Sequence, residues 1–190
     1  VEVKLFGFLP WTVTEQGLKS EHGPVLRTDH GTYAVRYAGM GEMRQVEQWL
    51  AMNKAQNFDD WRNAMRMHAF ASFNLVYADR EGNTMSVHNS LTPNRVSGYN
   101  WSHYLPGDDS SLIWDDYMPF DNLPKVINPE SGYIHSANQS PFYITAEGSN
   151  PVKENYRIED GFPTRMTNRA DRGLELFAEL GTISEQEFFD

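Results

Sequence analysis

Apolar and polar residues alternate with period two over some short runs of this chain. Over others, apolar residues return at three- and four-residue spacing. Val1 to Phe8 alternates loosely and reads as a strand already under way, as if from the middle of a longer protein. His22-Gly23-Pro24-Val25-Leu26 reads as a turn entering a short strand. Gly31 to Gly39, rich in β-branched and aromatic residues, reads as the next strand. Glu42 to Ala55 then carries Met43, Val46, Trp49 and Leu50 on one stripe, which predicts a helix with that stripe in the core. Asn57 is placed to cap a second helix with Phe58, Trp61, Met65 and His68 along it; His68 reads as a polar residue at a helix end rather than a ligand. Phe73–Asp79 and Thr84–His88 flank Arg80-Glu81-Gly82-Asn83, a hairpin with glycine supplying a positive φ.

Residues 90–127 hold four prolines and the aromatics Tyr99, Trp101, Tyr104, Trp114, Tyr117 and Phe120, and read as a long loop region. Next comes Asn128-Pro129, a turn, followed by Gly132 to His135, whose alternation suits a short strand ending before Pro141. That places Asn138 at a strand end with its amide projecting. A short amide held by rigid backbone is a good donor to a developing oxyanion, because it does not titrate and is cheaply preorganised. The plainer alternative is that Asn138 caps a turn. Residues 143–164 read as irregular. Thr167 opens a helix with Leu174, Phe177 and Ala178 as a buried stripe, Gly181 stops it, and Ser184-Glu185-Gln186-Glu187 has the form of a capping box. The order of elements predicts an α+β fold, helices covering a largely antiparallel sheet.

At 190 residues the chain is one domain or one large piece of a bigger one. Its net charge of −10 argues against nucleic acid and anionic membrane surfaces as partners. The absence of cysteine excludes disulfides, thiolate nucleophiles and zinc–thiolate sites. No apolar run is long enough to span a bilayer, and residues 1–30 contain no signal peptide. The six histidines fall in no ligand pattern, and the acidic pairs Asp59-Asp60, Asp108-Asp109 and Asp115-Asp116 lack the spacing of a calcium loop. Gly148-Ser149-Asn150 is not a nucleophile elbow.

Several stretches, taken together, resemble the β-subunit of the penicillin acylase family of N-terminal-nucleophile hydrolases, which includes acyl-homoserine lactone acylases. His22-Gly23-Pro24-Val25 is similar to the family's HGPV turn, and Tyr33-Ala34-Val35-Arg36-Tyr37 to its YALRW strand. Asn53 to Asn57, with Phe58 and Ala64, resembles its helix pair. Asn74 to Asp79, with Gly82-Asn83, resembles its NFVYAD..GNI hairpin. Pro93-Asn94-Arg95 and Tyr104-Leu105-Pro106 resemble its P.R and YLP. Asn128-Pro129, Gly132-Tyr133-Ile134 and Asn138 resemble NP..GYI..AN. All fall in the family's order along nearly the whole chain.

The resemblance implies part of an αββα sandwich and hydrolysis of a linear amide through an acyl-enzyme. In the family a serine at the β-subunit's own N-terminus attacks the carbonyl, its free α-amino group serving as base. Asn138 matches the family's side-chain oxyanion donor. Arg169 best fits an arginine that helps hold that asparagine, with Arg172 as its neighbour, and Ala137 matches a residue lining the acyl pocket. The first residue here is Val1, so the nucleophile and the backbone oxyanion donor are expected upstream, and the chain is expected to be a portion of a β-subunit, truncated at both ends and inactive alone. The implied partners are a small-molecule amide substrate, an α-subunit and the rest of the β-subunit, with no nucleic acid and no membrane; the implied location is periplasmic or secreted. The resemblance implies no cofactor; some family members bind a structural calcium, whose ligands are not identifiable in this sequence. The competing expectation is a non-catalytic binding or structural module, with Tyr99, Trp101, Tyr104 and Trp114 as a stacking platform for a sugar or peptide.

Overall fold

The computed structural model of the chain describes residues 2–12, 16–180, 182, 184, 186 and 187. The chain divides into two units, residues 1–37 with 105–113, and residues 38–104 with 114–190.

The first unit is built of antiparallel hairpins. Strand β1 (Glu2–Leu5) pairs with β2 (Leu9–Thr12), from Glu2 opposite Thr12 to Leu5 opposite Leu9. The strand expected up to Phe8 therefore stops at Leu5, where Phe6 and Gly7 take positive φ and reverse the chain. Val1 lies outside the described residues. Strands β3 (Leu18–Ser20), β4 (Gly23–Thr28) and β5 (Gly31–Ala34) form a meander with β4 in the centre. Pro24 has no N–H to donate, but its carbonyl accepts from Val35 N at 2.8 Å.

The second unit holds the helices α1 (Gln45–Lys54) and α2 (Phe58–Arg66) and a sheet ordered β6 (Ser72–Ala78), β7 (Thr84–Ser90), β8 (Lys125–Ile127), all antiparallel. Asn57 caps α2 as its sequence suggests, accepting from Asp60 N at 2.9 Å. The expected hairpin is present, and Asp79 closes it: its carboxylate accepts from the Asn83 side chain and backbone, Glu81 N and the Tyr77 hydroxyl, all within 3.0 Å. These donors, the Asn83 side chain first, hold the Asp79 carboxyl below the usual carboxylate range. The core of the unit joins Trp61, Ala64 and Met65 of α2 to Phe70, Leu75, Met85, Val87, Phe120 and Leu123.

Helix α1 departs from its sequence pattern. Met43 and Val46 are 85% and 78% exposed, Leu50 is exposed, and the polar Gln48 is fully buried. The Gln48 carboxamide accepts from Ala69 N at 2.7 Å and donates to Asn89 Oδ1 at 3.5 Å. It thereby satisfies a backbone donor in the link from α2 to β6. Only Trp49 of the stripe turns toward the aromatic cluster, with ring centroids 5.0 Å from Phe70 and 5.9 Å from Phe73.

Helix α3 (Asn168–Leu180) begins where Thr167 Oγ1 accepts from Ala170 N at 3.2 Å. Its buried face is narrower than expected: Ala170 is fully buried, Leu174 and Phe177 are half-buried, and Ala178 is exposed. Gly181, the expected stop, lies outside the described residues. The capping box is formed, with Glu187 N donating to Ser184 Oγ and Ser184 N to Glu187 Oε2. Among the described residues no helix is long and apolar enough to cross a membrane.

Candidate active site

The segment from Asn128 to Asn150 contains no strand. The alternation of Gly132 to His135 finds no ladder, and side chains take the place of a partner strand. Thr145 Oγ1 donates to Tyr133 O at 2.8 Å, and the Gln139 carboxamide donates to His135 O at 2.8 Å and Tyr143 O at 2.9 Å. Asn150 Oδ1 accepts from Ile144 N and Thr145 N, while its Nδ2 donates to Thr145 O and Ala146 O. One backbone bond, His135 N to Ile144 O at 2.8 Å, crosses the segment. Local side-chain bonds of this kind compete directly with strand formation.

Asn138 sits in this framework at φ 61°, in the left-handed region that asparagine tolerates better than most residues. It thus marks a turn rather than a strand end. Its side chain is exposed and makes no hydrogen bond among the described residues. The backbone around it is held on every side. Ala137 N donates to Gln139 Oε1, Arg169 Nη2 donates to Ala137 O at 2.7 Å, and Asn74 Nδ2 donates to Gln139 O at 3.3 Å. The result is a free carboxamide on a fixed peptide frame.

The residues singled out from sequence separate clearly. Arg169, on the first turn of α3, reaches the carbonyl of Ala137, the peptide immediately before Asn138. Arg172 points elsewhere, pairing with Glu175 at 2.8 Å and Glu179 at 4.0 Å on its own helix. Ala137 is half-buried. Two nearby groups escaped the sequence reading. Gln139 is almost completely buried and spans the turn; its only sequence signal is a polar amide between Asn138 and Ser140. Asn74 is tied to His88, whose Nδ1 lies 2.7 Å from Asn74 Oδ1 and whose Nε2 lies 3.4 Å from Ser72 Oγ. With Asn74 Oδ1 accepting, His88 carries its proton on Nδ1. Burial pushes the His88 imidazole down to about 4.

Helix α3 closes the other side. Tyr133 stacks on Phe177 with centroids 4.7 Å apart and planes 6° from parallel, and His135 tilts onto the same ring. Burial, then the charge of Arg169, holds the His135 imidazole below its ordinary value. Gly173 lets this packing happen, because a Cβ there would run into the His135 ring.

The loop aromatics are engaged differently. The Arg95 guanidinium lies over both Trp101 and Trp114, 5.3 and 5.6 Å from their centroids, and donates to Glu159 O at 2.9 Å. Trp101 and Trp114 meet edge to face. Tyr104 is 86% exposed. Among the described residues, no three His, Asp or Glu side chains gather to hold a metal ion.

The family model described as penicillin amidase matches residues 10–189. A penicillin G acylase of Escherichia coli is 32% identical over 182 residues, an alignment covering 84% of this chain and 21% of that protein. A solved thermostable penicillin G acylase from Alcaligenes faecalis superposes with a TM-score of 0.75 at 24% identity, covering 98% of this chain and 32% of that one. The chain thus spans about a fifth of the length of the first relative and a third of the second. The α+β architecture expected from sequence, an N-terminal-nucleophile hydrolase fold, is the one shared with that solved structure.

Proposed function

The chain belongs to the penicillin amidase family, and from that premise we propose that it forms part of an enzyme hydrolysing linear amides through an acyl-enzyme. Asn138 donates from Nδ2 to the oxyanion, Arg169 holds its backbone, and Ala137 borders the acyl group. The attacking hydroxyl comes from a residue outside this sequence. Its proton passes to the α-amino base, its oxygen bonds to the carbonyl carbon and the π pair moves onto the carbonyl oxygen. The base then gives that proton to the departing amine as the C–N bond breaks, and water later releases the acid. The observation that carries the reading is the free carboxamide of Asn138 on a backbone held by Arg169, Gln139 and Asn74. A donor carried on a backbone fixed before the charge develops needs only its own side-chain rotation when it appears.

The remainder of such an enzyme supplies the nucleophile, its base and the backbone donor of the oxyanion hole, and this sequence alone is inactive. Penicillin G, N-acyl homoserine lactones and simple N-acyl anilides are the amides to test. A periplasmic or secreted location follows from the family resemblance. Hydrolysis of this panel by the complete protein, with and without Asn138→Ala, tests the proposal. Loss of turnover with folding intact is expected. A variant as active as wild type removes Asn138 from the chemistry.

A further inference from the structure

We propose that Gln139 is the positioning residue that sets the direction of the Asn138 amide; this rests on the reading of Asn138 as an oxyanion donor. The Gln139 carboxamide is almost completely buried and makes three hydrogen bonds to backbone, with the His135 ring nitrogen a further 3.5 Å contact of its Nε2. Its oxygen accepts from Ala137 N, and its two N–H groups donate to His135 O at 2.8 Å and Tyr143 O at 2.9 Å. The first bond runs from residue 137 to the side chain of residue 139 and therefore bridges Asn138. The other two fix the bridge to both arms of the loop, before and after the turn.

Asn138 is the residue left at positive φ inside this bridge. A non-glycine residue there is held against a local preference for other conformations. Arg169 can fix only the Ala137 carbonyl, and Asn74 only the Gln139 carbonyl. Neither holds the Ala137 N–H or ties the turn to Tyr143. Without the Gln139 side chain, φ of Asn138 is free to relax, and its Cα–Cβ bond swings with it. A donor displaced by about 1 Å loses much of its effect on rate. The loss falls on kcat, because the bond to the oxyanion exists only in the transition state.

The test is a double-mutant cycle in the complete enzyme, using an N-acyl para-nitroanilide as probe. Gln139→Met keeps the length of the side chain and removes its hydrogen bonds. It is expected to lower kcat about tenfold or more with little change in KM, and to have almost no further effect in an Asn138→Ala background. Equal losses in both backgrounds, or no loss, would overturn the proposal. If Asn138→Ala alone leaves kcat intact, the oxyanion reading fails first, and the role of Gln139 with it. Should Gln139→Met not fold, Gln139→Glu serves. Its carboxylate would face the His135 and Tyr143 carbonyls, so its kcat relative to wild type should rise as pH falls and the carboxyl protonates. A ratio independent of pH would equally overturn the proposal.

Discussion

Arg169 donates from Nη2 to the carbonyl oxygen of Ala137 at 2.7 Å, crossing from the first turn of α3 to the peptide that leads into Asn138. The contact is exposed, so its value to stability is small. The catalytic value we propose for it follows from where it lands, because it fixes the plane of the peptide preceding the proposed donor. The helix carrying it is in turn anchored by the Tyr133–Phe177 stack and the fully buried Ala170.

Arg169→Ala should therefore lower kcat about tenfold while changing stability by no more than about 1 kcal/mol. Arg172→Ala should do neither, since Arg172 engages only Glu175 and Glu179. Steady-state kinetics with a denaturation midpoint for each variant checks both statements.

A glycine inside an exposed helix ordinarily weakens it by about 0.5–1 kcal/mol relative to alanine. Gly173→Ala should reverse that sign, because its Cβ would strike the His135 ring on the neighbouring loop. A lower melting temperature than wild type is expected. A higher one would mean that His135 moves aside at no cost.

His88 gives stability a pH dependence whose direction is fixed. Its folded-state value of about 4 lies below the ordinary value of 6.5, so between those pH values the unfolded chain binds a proton that the folded one refuses. Stability should rise with pH across this window and fall by about 3 kcal/mol from its upper to its lower end. Urea unfolding at pH 7 and pH 4.5 measures the change, and His88→Gln should flatten it.

Much of the fold is legible in the residues. The Asn57 cap, the hairpin closed by Asp79 and the Ser184–Glu187 capping box all follow from short-range chemistry that sequence displays directly. What stays hidden depends on distant partners. Strand β8 is three residues long and exists only through its register on β7, with Val126 opposite Ser86. The stripe of α1 points the wrong way because one buried glutamine answers a backbone donor twenty-one residues on. Likewise, the family resemblance points to Asn138 and Arg169 as candidates, but not to Gln139. Its proposed role depends on which carbonyls it meets, and those are set by a loop that replaces ladder bonds with side-chain bonds.

Removing the buried polar ties should be costly in proportion to what they leave unpaired. Gln48→Ala strands the Ala69 N–H in the interior and should cost about 1–3 kcal/mol. Phe70→Ala, at a fully buried site, should cost about 3–5 kcal/mol. Chemical denaturation of both variants gives the comparison.

The most direct measurement is kcat for Asn138→Ala in the complete enzyme, on an amide that wild type hydrolyses. With Asn138 donating to the oxyanion, kcat falls about 100- to 1,000-fold, KM changes little and the melting temperature holds. A kcat within a fewfold of wild type, in a protein shown to be folded, would contradict the account.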